Sequence, residues 1–201
     1  MIKIGITGGI GSGKSVVASL LQLSGIPVYI ADTESKKLTE TSPVIRRGLT
    51  ELFGNELYAK GTLDKPLLAS LIFGNPEQLR KVNAIIHPEV DRHFNEWAQK
   101  QSAQACAIES AILFESGFNQ MVDETLMVYA PLDVRINRAL ERDIATREEI
   151  TRRIQNQMSD ELKKEKCDYI IFNDNIRALI PQVAQFMHYT FFIRQTIPNL
   201  R

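Results

Sequence analysis

Gly8-Gly9-Ile10-Gly11-Ser12-Gly13-Lys14-Ser15 is the stretch that decides the fold of this chain. It fits the phosphate-binding pattern G-x-x-x-x-G-K-S/T at every required position. The apolar run Ile2–Thr7 precedes it and predicts a buried strand, and the run Val16–Leu21 follows it and predicts the first turns of a helix. Strand, glycine loop and helix in this order favour a phosphate-binding loop over a glycine-rich turn that only joins a strand to a helix.

The residue types of this loop suit an anion. Glycines accept positive φ and leave no side chain in the path of a phosphate, so successive backbone N–H groups can converge on it. The helix that starts near Lys14 adds about half a positive charge at its N-terminus. We expect Lys14 to reach the β- and γ-phosphates of a nucleotide and the Ser15 hydroxyl to bind Mg²⁺. The predicted nucleotide contacts are Gly8, Gly9, Ile10, Gly11, Ser12, Gly13, Lys14, Ser15 and Val16.

Charge and composition narrow the class of protein. Lys and Arg together number 24, as do Asp and Glu, so the formal net charge is +0 and a basic nucleic-acid binder is disfavoured. No apolar run approaches membrane-spanning length, and no secretory signal is recognisable. Cys106 and Cys167 lie in apolar surroundings without metal-like spacing, which favours free thiols in a reducing cytoplasm. We therefore expect a cytoplasmic globular protein, a monomer or a small homo-oligomer, without a nucleic-acid or membrane partner.

Apolar runs along the chain predict an α/β fold with a parallel sheet. The later runs are nearly continuous, which is typical of parallel strands that are covered on both faces. The predicted strands are Ile2–Thr7, Pro27–Ala31, Cys106–Glu109, Thr125–Tyr129 and Tyr169–Phe172.

The long segment from Thr33 to Gln101 contains no further strand pattern. Ser42-Pro43 and Asn75-Pro76 each predict an N-cap followed by proline at the first helical position. His87-Pro88 is expected to end one helix and begin another. A helical insertion of this length between two strands predicts a second subdomain.

Two acidic residues stand at the carboxyl ends of predicted strands, the edge where open α/β sheets place their ligands. Asp32 is a candidate base for phosphoryl transfer to an alcohol, because a hydroxyl attacks better as its proton leaves. The alternative is that Asp32 caps the helix that follows it. Glu109 ends the third predicted strand, where an acid commonly holds Mg²⁺ directly or through water. The alternative for Glu109 is an ordinary surface carboxylate.

Arg135, Arg138 and Arg142 fall on one face of a predicted helix. One interpretation is a mobile lid whose guanidinium groups neutralise charge on a transferring phosphoryl group. The alternative is a solvated face paired with Glu141 and Asp143, which would contribute little to stability. We expect a functional role for one or two of the three arginines.

Three further residues stand out. His87 is an isolated histidine, and such residues are more often structural than catalytic. Phe114 and Glu115 follow the third predicted strand, on the edge expected to hold ligands. Phe114 could stack on a substrate or belong to the core.

The ordered set of motifs resembles the dephospho-CoA kinase family, the P-loop enzymes of the last step of coenzyme A synthesis. The glycine loop alone would indicate only the P-loop superfamily, whereas the whole set, from Ile4 to about Asn173, points to this family. Its most specific parts are Gly5 through Ser15, Ala31-Asp32, His87-Pro88, Leu113-Phe114-Glu115, Arg138 with Arg142, Gln157, and Asp168 through Asn173.

The resemblance implies a P-loop kinase fold. This fold is a five-stranded parallel sheet flanked by helices, in the strand order 2-3-1-4-5, with a helical substrate-binding insertion and a helical lid. The implied divisions are a nucleotide-binding core of residues 1–32, 102–137 and 167–201, a helical substrate domain of residues 33–101, and a lid of residues 138–166.

The implied activity is transfer of the γ-phosphate of ATP to the 3′-hydroxyl of dephospho-CoA, with Mg²⁺. Asp32 is then the base, and the catalytic set is completed by Lys14, Arg138 and Arg142. The remaining implied roles are ATP binding by Arg142 and Asn173, acceptor binding by Asp32, His87, Phe114 and Glu115, and metal binding by Ser15 and, through water, Glu109.

The chain departs from the family pattern at several positions. The family usually has Asp where Glu109 stands and Pro where Ala111 stands, and the extra methylene of Glu109 still allows a water-mediated contact with Mg²⁺. Gln is common at the position of Arg135, so no family role is carried over to Arg135. The family tends to have Asn-Gly after the last strand, where this chain has Asn173-Asp174.

Two other functions stay open at the level of sequence. A nucleotide-dependent switch would usually carry an Asn/Thr-Lys-x-Asp guanine-reading motif and an Asp-x-x-Gly loop, and the sequence has neither. A kinase of another small alcohol or of a nucleoside is the second alternative, because the helical insertion contains no independent substrate code.

Overall fold

The computed structural model describes residues 1–193 of the chain. They form two compact units: a sheet unit, Met1–Tyr29 with the described residues from Gln101 onward, and a helical unit, Ile30–Lys100. The strands are β1 (Ile2–Thr7), β2 (Val28–Ile30), β3 (Ala105–Glu109), β4 (Glu124–Tyr129) and β5 (Tyr169–Phe172). The α-helices are α1 (Lys14–Leu23), α2 (Ala31–Thr41), α3 (Pro43–Phe53), α4 (Lys65–Ile72), α5 (Pro76–Gln99), α6 (Leu132–Arg142), α7 (Arg147–Gln155), α8 (Asp160–Lys166) and α9 (Leu179–His188). Short 3₁₀ turns at Asn55–Tyr58 and Phe118–Met121 and a π-helical turn at Tyr189–Ile193 complete the described elements.

The strands form a five-stranded parallel sheet in the order β2-β3-β1-β4-β5, which confirms the predicted strand order. The register pairs Ile6 of β1 with Glu109 of β3 on one side and with Leu126 of β4 on the other. All of β3 and most of β4 are buried, as their continuous apolar sequences predicted. The strand order reverses direction at β1, because β3 lies on one side of β1 and β4 on the other. Open α/β sheets bind ligands at the carboxyl ends of the strands where the order reverses, which here is the carboxyl end of β1.

Both cysteines are free. Cys106 is buried in β3, and Cys167 is half-buried after α8. Burial raises the pKa of the Cys106 thiol and raises that of Cys167 to about 12, so both thiols stay protonated at neutral pH and are weak nucleophiles. In the described part of the chain, no helix is both long enough and apolar enough to cross a membrane.

The helical unit packs α2, α3 and α4 against the long helix α5. The predicted caps are present: the Ser42 side chain accepts hydrogen bonds from the backbone of α3, and the Asn75 side chain accepts one from Gln78 N. Ser42 Oγ also donates to Glu89 Oε1 of α5 at 2.8 Å, so one hydroxyl begins a helix and ties it to its neighbour. Both the Ser42 hydroxyl and the Glu89 carboxylate are buried, and this hydrogen bond gives each of them a partner, as buried polar groups require.

The expectation that His87-Pro88 separates two helices is wrong, because α5 runs without interruption from Pro76 to Gln99 with Pro88 inside it. Proline removes one backbone hydrogen bond and costs about 3 kcal/mol in a helix interior. The buried face of α5 continues on both sides of Pro88, with Ile86 before it and Val90 and Phe94 after it. Burial of these side chains contributes about 1.5–3 kcal/mol each and outweighs the missing bond.

Candidate active site

The phosphate loop joins the end of β1 to the start of α1 within the sheet unit. Gly13 is the N-cap of α1 and has φ 91° and ψ 25°, in the left-handed region that side chains disfavour. The amides of Val16 and Val17 donate to the Gly13 carbonyl oxygen at 3.0 and 3.3 Å, so the helix begins directly at the loop. The first N–H groups of a helix have no acceptor within the helix, which makes this helix start a site for an anion.

Buried polar atoms without a hydrogen-bond partner cluster around this loop. Among the residues that the structure describes, such side-chain atoms are Thr7 Oγ1, Ser12 Oγ, Gln78 Oε1, Arg135 Nε and Arg138 Nη1. All except Gln78 belong to β1, to the loop or to the arginines of α6 that lie against the loop glycines. A buried polar group left unpaired costs about 1–3 kcal/mol, so this concentration indicates that a polar ligand completes the site.

Lys14 and Glu109 meet beside the loop. Lys14 Nζ donates to the Gly9 carbonyl oxygen at 3.3 Å and lies 4.0 Å from Glu109 Oε1, and the two side chains are only 11% and 10% exposed. The pairing of β3 with β1 brings Glu109 to this position. The alternative of an ordinary surface carboxylate is therefore wrong for Glu109. A largely buried lysine held against the loop is suited to bind phosphates that enter it.

The oxygen donors next to Lys14 fit Mg²⁺. Ser15 is the second residue of α1 and is exposed, and Glu109 supplies a carboxylate beside the loop. Within residues 1–193, no group of three or more His, Cys, Asp and Glu side chains could hold a metal ion. Mg²⁺ is commonly bound by one or two protein oxygens, with substrate phosphates and waters as its other ligands, so a sparse donor set is what this cation requires.

Asn173 joins the end of β5 to the loop. Its Nδ2 donates to the Ser12 carbonyl oxygen at 2.8 Å, and its Oδ1 accepts a hydrogen bond from Arg138 Nη2 at 3.3 Å. Arg138 Nη2 also donates to Asn175 Oδ1 at 2.5 Å. A Cβ atom placed on Gly13 would lie 4.0 Å from Arg138 Nη1. Two asparagines thus orient the Arg138 guanidinium and leave its unpartnered nitrogen beside the start of α1.

The other two arginines of α6 have different surroundings. Arg142 is 66% exposed, and its Nε donates to Asp143 Oδ1 at 2.8 Å, a hydrogen bond that raises the pKa of Arg142. Arg135 is buried and pairs with Asp160 Oδ2 of α8 at 2.9 Å. Burial raises the pKa of Asp160, and the nearby Arg135 guanidinium opposes that shift. The alternative of a solvated arginine face therefore does not apply to Arg135.

Phe114 and Glu115 lie in the turns that follow β3. Phe114 is half-buried. Glu115 Oε1 accepts a hydrogen bond from Met158 N at 2.7 Å and lies 3.4 Å from Lys163 Nζ of α8. Glu115 therefore ties this segment to the end of the α7–α8 connection, and the role of both residues in acceptor binding stays a prediction.

Asp32 and His87 belong to the helical unit. Asp32 is exposed in the first turn of α2, whose N-cap is Ile30, so the alternative that Asp32 caps this helix is wrong. An acidic side chain in the first turn still complements the helix dipole. His87 is half-buried within α5, and burial lowers its pKa, which favours the neutral imidazole. The roles of both residues toward an acceptor stay predictions.

The remaining predicted nucleotide contacts lie along the loop and its helix. Val16 is 49% exposed on α1. Ile10 N donates to Gln157 Oε1 at 3.3 Å, and the Ile10 side chain packs against a buried cluster of α6 and α7 formed by Ile136, Ala139 and Ile150. The structure thus brings together the loop, Lys14, Glu109, Arg138 and Asn173.

Two charged groups at this site were not found from the sequence. Asp160, the partner of Arg135, and Lys163, which is fully buried, both lie on α8. Their sequence, a run of charged residues, is typical of a solvent-exposed helix. The Arg135–Asp160 contact joins residues far apart in the chain, and no local spacing signals such a pair.

We expect Gly11→Ala to destabilise the protein by about 3 kcal/mol, because the energetic costs of a strained backbone and of a steric clash add together. Gly11 has φ 78°, and a Cβ atom there would overlap the backbone carbonyl oxygen of Arg135, which no rotamer change can move away. Urea unfolding without nucleotide measures the loss.

Gly25→Ala is the matched control for this prediction. Gly25 has φ 85° and no atom within 4 Å of a Cβ, so strain acts alone and we expect a loss of about 1 kcal/mol. Equal losses at the two positions would contradict the close contact at Gly11.

Comparisons with known proteins bear on the acceptor. The family model described as dephospho-CoA kinase matches residues 2–178. A dephospho-CoA kinase of Bacteroides fragilis (strain YCH46) is 50% identical over 191 residues, which cover 94% of this chain and 93% of that protein. The crystal structure of TT1252 from Thermus thermophilus is similar with a TM-score of 0.81 at 33% identity, over 94% of this chain and 97% of that one. The dephospho-CoA kinase from Campylobacter jejuni shares the fold, with a TM-score of 0.67 at 22% identity over 94% and 96% of the two chains.

Proposed function

The chain belongs to the dephospho-CoA kinase family, and from this premise we propose that it transfers the γ-phosphoryl group of ATP to the 3′-hydroxyl of dephospho-CoA. The products are coenzyme A and ADP. Family membership supports the acceptor. The single observation that best supports ATP as the phosphoryl donor is the glycine loop together with the buried polar atoms around it that have no hydrogen-bond partner. Such a site suits a triphosphate.

The reaction forms one bond to phosphorus, breaks another, and moves one proton. The 3′ oxygen of the acceptor bonds to the γ-phosphorus, and the bond from that phosphorus to the β,γ-bridging oxygen breaks, so its electron pair leaves with ADP. The proton of the attacking hydroxyl passes to a base, for which we propose Asp32. Among residues 1–193, the exposed carboxylate of Asp32 in the first turn of α2 forms no ion pair with lysine or arginine, unlike Glu34 two residues on, which pairs with Lys37.

The developing charge is spread over the phosphoryl oxygens, so positioned positive groups supply most of the rate. We assign this role to the amides at the start of α1 and to Lys14, Arg138 and Arg142. Lys14 and Arg138 already lie against the loop. Among the described residues, Arg142 is held only by its sequence neighbour Asp143, and its exposed guanidinium is available to bind a nucleotide.

Ser15 and Glu109 are the residues that would hold Mg²⁺, with Glu109 acting through water. The cation would neutralise negative charge on the ATP phosphates. We further infer that residues 138–166 act as a lid and residues 33–101 bind the acceptor, with help from His87, Phe114 and Glu115. A cytoplasmic location and a monomeric or small homo-oligomeric state stay part of the prediction.

ADP release from ATP across a panel of acceptors tests this function. Dephospho-CoA is expected to support the fastest release, with coenzyme A as the product identified by mass. Coenzyme A itself is the matched control, because its 3′ position already carries the phosphate and should support no transfer. Equal or faster release with a nucleoside or another small alcohol would overturn the acceptor assignment. Slow GTP hydrolysis without any acceptor, and no product from dephospho-CoA, would instead favour a nucleotide switch.

A further inference from the structure

Arg135 occupies the space beside two glycines of the phosphate loop. A Cβ atom on Gly9 would overlap Arg135 Nη1, and one on Gly11 would overlap the Arg135 carbonyl oxygen. The side chain and the backbone of one residue therefore pack against the segment Gly9–Gly11. Ser12 N donates back to the Gly9 carbonyl oxygen at 3.1 Å, so a shift of Gly9 would move the rest of the loop.

The Arg135 side chain is itself held by α8. Asp160 Oδ2 lies 2.9 Å from Arg135 Nη2, and Asp160 Oδ1 would lie 3.2 Å from a Cβ atom on Gly9. Both side chains are largely buried, with 5% of Arg135 and 13% of Asp160 exposed. A buried guanidinium–carboxylate pair has a definite geometry and is weakly screened by solvent, unlike a surface pair.

Lys163, one helical turn after Asp160, anchors α8. Its side chain is completely buried, and Nζ donates to the Ala111 carbonyl oxygen at 2.8 Å and lies 3.4 Å from Glu115 Oε1. Residues three apart lie on one face of a helix, so the face that carries Asp160 toward the loop also fastens α8 to the segment after β3. The contacts of Lys163 with Ala111 and Glu115 therefore fix α8, and with it Asp160, against the rest of the sheet unit.

We propose that Arg135 is a positioning residue for ATP binding. Its guanidinium, held by Asp160, keeps Gly9–Gly11 in the shape in which the loop amides converge on the phosphates. The proposal deepens the proposed function and rests on ATP binding to this loop. Arg135 acts through the loop backbone and through its own buried charge, whereas Lys14 and Arg138 act on the phosphates themselves.

The proposal predicts a specific kinetic signature. An interaction that shapes the loop before and during the reaction contributes equally to ground state and transition state, so its loss raises KM with little change in kcat. We expect Arg135→Gln to raise the Kd and the KM for MgATP about tenfold while kcat changes less than about threefold. The KM for dephospho-CoA should stay unchanged.

Calorimetry of MgATP binding without acceptor is the main measurement, and urea unfolding accompanies it. Asp160→Asn should raise the Kd severalfold, and the double variant should be no worse than Arg135→Gln, because Asp160 acts through Arg135. Asp133→Asn is the matched control for Asp160→Asn: Asp133 also pairs with an arginine, Arg147, but at 3.7 Å and with 89% of its side chain exposed, so its loss should leave the Kd unchanged.

A purely structural role would lower the urea midpoint and leave the Kd of the folded protein within twofold of the parent, which would overturn the proposal. If Arg135→Gln does not fold, Arg135→Lys decides, since it keeps the charge but loses the planar fork: a raised Kd supports the proposal and a parental Kd overturns it. Normal ATP binding by the parent without phosphorylation of dephospho-CoA would defeat the proposed function and leave this comparison valid. Failure of the parent to bind ATP would defeat both.

Discussion

Lys14→Ala is expected to lower kcat for dephospho-CoA phosphorylation by about two orders of magnitude or more. Lys14 is the loop's own cation, is only 11% exposed, and lies against the Gly9 carbonyl oxygen, so water cannot easily replace it. Its charge counts most when negative charge shifts toward the leaving β-phosphate, and such preorganised groups supply the largest part of the rate in phosphoryl transfer. Steady-state rates at saturating ATP and dephospho-CoA measure the loss.

The control for Lys14 is Lys100→Ala, which removes an exposed lysine at the end of α5. It should change kcat by less than about twofold, as surface substitutions generally do. Circular dichroism and urea unfolding establish that the Lys14→Ala protein is folded. A folded Lys14→Ala protein that turns over within about threefold of the parent would show that the loop does not act on the transferring phosphate.

Asp32→Asn is expected to leave ATP binding nearly intact and to lower turnover by about 10²- to 10⁴-fold, the usual contribution of a general base. The substitution keeps the size of the side chain and removes its ability to accept the proton of the acceptor hydroxyl. The residue belongs to the helical unit, whereas the glycine loop belongs to the sheet unit, so the calorimetric Kd for MgATP should stay near the parental value.

Glu34→Gln supplies a charge-matched control for Asp32 because it neutralises another acidic residue in the first turn of α2. Glu34 is engaged with Lys37 through a 2.6 Å ion pair, and its loss should leave turnover within about twofold, as expected for an exposed pair. Normal turnover of Asp32→Asn at saturating dephospho-CoA would mean that another group accepts the proton. Equal losses in the two variants would mean that helix charge, and not a base, explains the effect.

The features that sequence reasoning predicted well are local ones. A strand, a glycine loop and a helix are encoded within the first residues of the chain, because periodicity, positive φ and helix capping depend on near neighbours. The caps at Ser42 and Asn75 are correct for the same reason. The strand order came from the family resemblance, because no local pattern specifies which strands pair.

The features that it missed or judged wrongly depend on distant residues. The helix break expected at Pro88 is absent because the buried face of α5 packs against three other helices. The local sequence around a proline carries no information about such packing. Glu109 at a strand end was compatible with the surface, and only the pairing of β3 with β1 brings it beside Lys14. Arg135 lies on a charged helix, and its sequence was compatible with a solvated face. Only the tertiary structure brings the carboxylate of Asp160 on α8 to 2.9 Å from its guanidinium.

The amino-acid sequence by itself therefore determined that this chain makes a phosphate-binding loop between a strand and a helix, and the order of its motifs pointed to the kinase family. Only the tertiary structure decided which charges surround that loop and which of them are buried. The physical reason is that a glycine's conformation is a property of its own backbone. The burial of a charge, by contrast, depends on groups far along the chain that folding brings within hydrogen-bonding distance.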